Sequence, residues 1–483
     1  MTIPLLYLVF STLLGCFDTR VYDDRETDWQ SDDSLGDTED TDTGTDTGSA
    51  PISLCPATLS ERMTIHSIEM DDDIHYLSPG YNSIARAARL ALARQPNGSL
   101  TAAWLNAARD TLHVTPLTQT FERRAEDITI QGTELGGLIA RDDGFALLIR
   151  REDTGEDVAV GEDDRPVQAA VWIRHWFDDK ETLAVPLTGS ESPHPALDYS
   201  NGLRGSLVFD GDIYSAYFEV RGGRGGDHPG GYGDKMVRID DAGTIRDGGW
   251  RFATGTLTGT TALLVTADRL AAFVFADAAP NPGLNIIESQ TDTRLVAEEE
   301  SWSGYSGGEL GGVVSLSNTT FVAWASRGFD DEAEEAEYDT HDVVMIIQPE
   351  MSKPSPARIR LTRTPDIDEI NVHLAPYGDE QLLLIWNETH DIHYEEGTAF
   401  GTYAGTYFQR FDLQGEPVAP KERIDAPPTI EQQLVRLDNG DLAFAFVTDT
   451  IDYTDTLARP SETPLMRTLN IAHLSYCTED DAP

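Results

Sequence analysis

Seven recurrences of one unit predict an all-β fold, a seven-bladed β-propeller of four-stranded antiparallel blades. Each unit is a short apolar strand, a turn rich in Asp, Asn or Gly, and a stronger apolar strand. The stronger strands fall at residues 100–105, 145–149, 213–218, 270–275, 320–324, 382–386 and 442–447, with starts 45, 68, 57, 50, 62 and 60 residues apart. Variable spacing around a constant core is what loop insertions into repeated blades produce. No stretch sustains a helical period, which argues against an α/β reading.

Ahead of the repeats, residues 3–14 form one apolar run broken by Pro4, Ser11 and Thr12. Its twelve residues suit a signal-peptide core and fall short of the ~20 that a spanning helix needs. The run ends in Leu13-Leu14-Gly15-Cys16, which resembles the lipobox of bacterial lipoproteins: aliphatic residues, a small residue, then cysteine. The resemblance implies cleavage after Gly15, diacylglycerol on the Cys16 sulfur and acylation of the new amino terminus. Several acyl chains anchor stably where one is marginal. The chain departs from that pattern in having no Lys or Arg before Cys16, the first cation being Arg20.

From Asp18 to Ala50 there are twelve Asp or Glu, seven Thr and two Arg, including the run Asp40-Thr41-Asp42-Thr43-Gly44-Thr45-Asp46-Thr47-Gly48. So little apolar surface cannot offset the entropy of ordering, and like charges extend the segment. The organisation expected is therefore a signal peptide at 1–15, a lipidated cysteine and disordered tether at 16–50, and a propeller domain at 51–483. A flexible tether of this length spans roughly 30 Å root-mean-square.

The net charge is -49, from 35 Lys+Arg against 84 Asp+Glu. Such a surface argues against nucleic acid or an anionic membrane surface as a partner, and suits saline or calcium-rich surroundings or a basic partner. A cofactor is not implied beyond calcium, and a monomer is expected.

Third strands are expected at 111–117, 167–173, 235–239, 284–288, 342–347, 406–411 and 468–475, with a weaker fourth strand legible after four of them. One of these reads Tyr407-Phe408-Gln409-Arg410-Phe411-Asp412-Leu413-Gln414-Gly415-Glu416-Pro417-Val418 and follows a strand ending in Trp386. It resembles a Tyr-x-Gln-Arg-Phe-Asp-x-x-Gly-x-Pro-Val repeat of large bacterial extracellular proteins, and residues 236–243 are a degenerate copy. The resemblance implies the fold and carries no activity. The last unit ends on its third strand, while residues 57–69, containing Met63-Thr64-Ile65-His66-Ser67-Ile68, belong to no unit. If that segment supplies the missing outer strand, the ring closes on itself and Cys55 comes beside Cys477, within disulfide reach. The other reading leaves two free thiols.

In this strand order the loops joining second to third strands share one face, and here they are the long ones: 151–166, 222–234, 327–341, 387–404 and 448–467. Turns such as 142–144, 210–212 and 438–440 belong to the opposite face. Long loops over a rigid scaffold are where binding residues concentrate. On that face His390, His393 and Glu395 are candidate metal ligands, although their spacing matches no established signature. The acidic run 330–337 lacks the glycine turn of a dedicated calcium loop. Residues 222–231 are glycine-rich but lead into no helix, so a phosphate-binding reading fails. No catalytic motif is present.

These observations imply a lipid-anchored protein at the outer membrane or cell surface that binds a protein or polysaccharide without catalysis. The alternative is a carbohydrate-active hydrolase using paired carboxylates on the long-loop face.

Overall fold

The chain was analysed as a computed structural model. It describes residues 58–75, 90–142, 144–152, 169–177, 180–188, 205–221, 232–252, 261–266, 270–276, 283–289, 292–298, 301–302, 305–306, 308–316, 318–326, 340–348, 358–364, 366–395, 398–429, 432–447 and 466–477. These build seven four-stranded antiparallel sheets, the blades of a β-propeller. Blade 1 comprises Ala91–Arg94, Leu100–Leu105, Thr111–Leu117 and Ile128–Gln131, and blade 2 comprises Glu134–Arg141, Gly144–Glu152, Ala169–Phe177 and Lys180–Pro186. Blade 3 holds Gly205–Phe209, Ile213–Arg221, Tyr232–Asp240 and Ile245–Phe252; blade 4 holds Thr261–Val265, Leu270–Ala276, Gly283–Ser289 and Asp292–Glu298. Blade 5 is Gly308–Leu316, Thr319–Ser326, Asp342–Gln348 and Ile359–Arg360, and blade 6 is Ile367–Tyr377, Gln381–Glu395, Thr398–Asp412 and Glu422–Ile424. Blade 7 takes Val435–Arg436, Leu442–Phe446 and Met466–Leu474 from the C-terminal end of the chain, and Met63–Ile74 as its outer strand.

The second strands are continuous apolar runs because both faces of each blade are covered by neighbours. In blade 1, Ala102 and Trp104 pack toward blade 7, while Ala103 and Leu105 pack toward blade 2. In blade 5, Val322 and Trp324 face blade 4, and Phe321, Ala323 and Ala325 face blade 6. Among the described residues the core divides into seven clusters, one between each adjacent pair of blades. The cluster joining blades 7 and 1 completes the ring.

The N-terminal strand closes the ring as the outer strand of blade 7. Met63 pairs with Leu474 and Ile68 with Leu469, so Ile68 and Met70 turn into the core beside Trp104. A four-residue helix, Leu59–Arg62, precedes this strand; Thr58 caps it, and Glu422 of blade 6 accepts from the Leu59 and Ser60 backbone N–H groups. The run Asp71-Asp72-Asp73 then stitches blade 7 to blade 1: Asp71 pairs with Arg123 at 2.7 Å and Asp72 with His113 at 3.5 Å.

Blades 2 and 5 begin with the same tetrapeptide, Glu134-Leu135-Gly136-Gly137 and Glu309-Leu310-Gly311-Gly312. Each has a β-bulge at the same place, between Leu135 and Gly137 and between Leu310 and Gly312. The glycines let the innermost strands of adjacent blades nearly touch. A Cβ at Gly311 would stand 2.5 Å from both Val372 Cβ and the Val372 carbonyl oxygen, so backbone would have to move. Gly311→Ala is therefore expected to lower stability by about 1 to 3 kcal/mol, the range for overpacked cores, read from a shifted denaturant midpoint at unchanged m-value. An unshifted midpoint would show that the inner ring has slack.

One expectation is corrected. Residues 387–404 are not a long loop. The second and third strands of blade 6 run on as a hairpin to Glu395 and Thr398, with Asn387 opposite Thr406 and His393 opposite Phe400. β-branched and aromatic residues such as Thr389, Ile392, Tyr394, Phe400 and Tyr403 favour strand, and they outweigh the polar composition.

Candidate functional site

In each blade the first strand runs from the long-loop face toward the short-turn face. In blade 6 it starts at Ile367 and ends at Tyr377, where the turn through Gly378 (φ +64°) delivers Gln381 opposite Tyr377. The long-loop end of this blade holds a group of buried carboxyls. Asp368 and Glu369 are fully buried, Glu388 is 2% exposed, and Asp342 of blade 5 is 8% exposed.

Each of these carboxyls has a defined set of partners. Thr362 and Thr364, on the connector between blades 5 and 6, donate their hydroxyls to Glu369 at 2.5 and 2.6 Å. Asp368 Oδ1 accepts from the His341 backbone N–H at 2.5 Å and lies 2.9 Å from His341 Nδ1. Asp342 accepts from Arg360 Nε at 2.6 Å. Glu388 accepts from Trp386 Nε1 at 3.1 Å and pairs with Lys421, whose ammonium sits over the Tyr407 ring.

Glu369 and Glu388 are direct cross-strand partners, a placement that two ionised carboxylates oppose. Burial pushes the Glu369 carboxyl up to about 8; the two threonine hydroxyls work against that rise, while Asp342 and Glu388 add to it. At neutral pH Glu369 therefore holds its proton. The acid and base of a hydrolase must be open to substrate. Here both carboxyls lie inside the blade: the two threonines make Glu369 a clamp that ties the connector to blade 6, and Glu388 is held within blade 6 by Trp386 and Lys421.

The central channel contains a cavity of about 220 Å³. Its walls are the innermost strands of blades 1 to 6 and the segment Gln432, Gln433 and Leu434 leading into blade 7. Glycine and aliphatic residues dominate, with Ser206, Thr261, Gln432 and Gln433 the polar members; every lining residue is uncharged. Behind the wall, the buried His373 ring faces the Gln432 carbonyl oxygen through Nδ1 at 2.9 Å and Asn371 through Nε2 at 3.0 Å. Burial lowers the His373 pKa to about 4.

Sequence-predicted positions are distributed as follows. Cys16, Cys55, the acidic run 330–337 and the glycine-rich segment 222–231 lie outside the described residues. His390 is half-buried on the blade 6 hairpin, opposite Thr402. His393 and Glu395 lie on the same strand, with side chains outside the description, and among the described residues no group of three metal-ligating side chains occurs. Cys477 follows the third strand of blade 7, beside the point where the Ser475 N–H donates to the Arg62 carbonyl oxygen at 3.2 Å. Sequence reasoning missed Asp368, Glu369 and Glu388; the only local signal is the pair Thr362 and Thr364 ahead of an acidic strand start.

No family model matches the chain, and no curated protein matches it. Among solved structures it is similar to a protein of unknown function from Dyadobacter fermentans, at 12% identity and a TM-score of 0.39, covering 85% of this chain and 99% of that one. It is also similar to the Neurospora crassa Pan2 WD40 domain, at 10% identity and a TM-score of 0.43, covering 88% and 99%. A third is Penicillium chrysogenum alpha-L-arabinanase complexed with arabinobiose, at 11% identity and a TM-score of 0.38, covering 84% and 98%.

Proposed function

We propose that this chain is a lipid-anchored binding protein of the cell surface or outer membrane, holding a protein or polysaccharide through the long-loop face of its propeller. The observation that carries the binding reading is the uncharged channel wall, together with the burial of Asp342, Asp368, Glu369 and Glu388 at the long-loop end of blades 5 and 6. A paired-carboxylate hydrolase needs two carboxyls reaching substrate at the axis. These four are engaged by protein partners instead.

Cys16 carries the lipid, residues 16–50 form the tether, and Cys55 bridges to Cys477. The pairing is supported by the short chain distance from Cys55 to the helix at Leu59–Arg62, whose last carbonyl accepts from Ser475, two residues before Cys477. An exported compartment is where such a bridge persists. The strong negative charge favours a neutral or basic partner and leaves calcium as a cation the surface could recruit.

Two experiments test this reading. Metabolic labelling with a clickable fatty acid should mark the parent chain and not Cys16→Ser; equal labelling of both refutes the anchor. Capture of purified surface polysaccharides and surface proteins by the chain from residue 51 onward, with and without calcium, should retain at least one component. Retention of none refutes the binding reading.

A further inference from the structure

The strand that closes the ring, Met63–Ile74, meets blade 1 through a histidine near each end, and each histidine sits by a strained residue of that blade. His66 rests against Phe121 with ring centroids 4.6 Å apart; Phe121 also contacts His473 at 5.1 Å, and the two histidine rings are 6.2 Å apart. His75, immediately past the strand, donates its backbone N–H to the Leu105 carbonyl oxygen at 2.7 Å and lies in the field of Arg109. Phe121 and Arg109 hold φ of +64° and +58°, left-handed backbone that a residue with a Cβ resists and that gathers where structures rearrange. Between the two histidines the pairing with Met466–Leu474 is interrupted, the register shifting between Glu69 and Ile74.

Neither imidazole is equipped to carry a charge. The Nε2 atoms of His66 and His75 are both buried without a hydrogen-bond partner. The carboxylates around them are engaged elsewhere: Asp71 and Asp127 with Arg123, Asp72 with His113, Asp73 with Arg467, and Asp441 with His473. Asp110 accepts from Asn106 and Thr111, and Glu134 pairs with Arg109 and Arg150. The cations facing the rings, His473 and Arg109, repel a further positive charge. Burial and then His473 hold the His66 pKa below its ordinary range, and burial and then Arg109 lower that of His75 to about 4.

We infer that the closing strand is a proton-operated latch: acid charges His66 and His75, and the stretch between them lets go of blade 1 while the rest of the propeller stays folded. A bridge from Cys55 to Cys477 would hold the start of the strand, so the opening runs from His66 to His75. It frees the edge of the third strand of blade 7 from Met466 to Ile471, an unpaired strand edge that another chain can add to. The sign follows from depressed folded pKa values: the histidines' contribution is present above 6.5 and lost as pH falls toward 4.

Hydrogen exchange read by mass spectrometry on the full chain at pH 7 and pH 4.5, corrected for the intrinsic pH dependence of amide exchange, tests the latch. Peptides covering residues 63–75 should lose roughly tenfold or more of their protection at pH 4.5, while the second strands of blades 2 to 4 keep theirs within about twofold. The double substitution His66→Phe and His75→Phe places uncharged rings at the same positions and should abolish the loss; His66→Gln with His75→Gln serves if the first pair fails to fold. In the parent chain the His75 ring should titrate near 4 by NMR. A loss spread evenly over the blades, no loss at residues 63–75, an equal loss in the double variants, or a His75 ring titrating at the ordinary 6.5 overturns the inference.

Discussion

Glu369→Gln should gain on the order of 3 kcal/mol of stability relative to the parent chain between pH 6 and pH 9, the buried Lys235 contributing equally to both. The sign follows from the Glu369 carboxyl, raised from an ordinary 4.5 to about 8 in the folded protein. A group whose folded pKa is raised contributes fully below its unfolded value, and that contribution is lost as pH climbs through the folded value. The loss begins near 4.5 and completes above 8. Glutamine cannot ionise, and its amide can still accept from one threonine hydroxyl while donating to the other. Denaturant midpoints across the range check this; equal slopes in parent and variant would mean that Glu369 does not hold the proton. The acid limb has a different origin. His75 and His373 are each depressed to about 4 by burial, so their contribution is present above 6.5 and lost as pH falls toward 4.

Replacing both Cys55 and Cys477 with serine should produce the other large effect. A bridge between them would close a loop of 422 residues, worth up to about 6 kcal/mol in the chain-entropy model. The parent should melt several degrees lower in reductant, and the double variant should melt at the lower temperature whether or not reductant is present. The strand Met63–Ile74 would still complete blade 7, so the variant should fold with reduced stability. A parent chain indifferent to reductant contradicts the bridge while leaving the strand closure intact.

How far the fold was legible depended on where the side chains go. Second strands announce themselves because residues such as Trp324 and Phe321 are buried on opposite faces of one strand, which leaves an unbroken apolar run. The closing strand was readable from an N-terminal apolar segment that belongs to no unit and from a last unit one strand short. Fourth strands showed in only four units because, as with Ile359–Arg360, an outer strand needs few residues and only modest burial. The blade 6 hairpin was misread because its charged and hydroxyl residues look like loop when composition is weighed above period. The carboxyl clamp was invisible for a different reason. Asp368 and Glu369 are two of 84 acidic residues, and what distinguishes them is burial against Thr362, Thr364 and His341, which only the packing of blade 5 on blade 6 creates.

Binding without hydrolysis is the central claim, and one measurement addresses both halves. The chain from residue 51 onward is incubated with a panel of neutral surface polysaccharides, and retained polymer is measured alongside newly released reducing ends. The prediction is retention of at least one polymer with no release above the protein-free control. Release of reducing ends that disappears when a single acidic residue is replaced would contradict the account and establish a hydrolase.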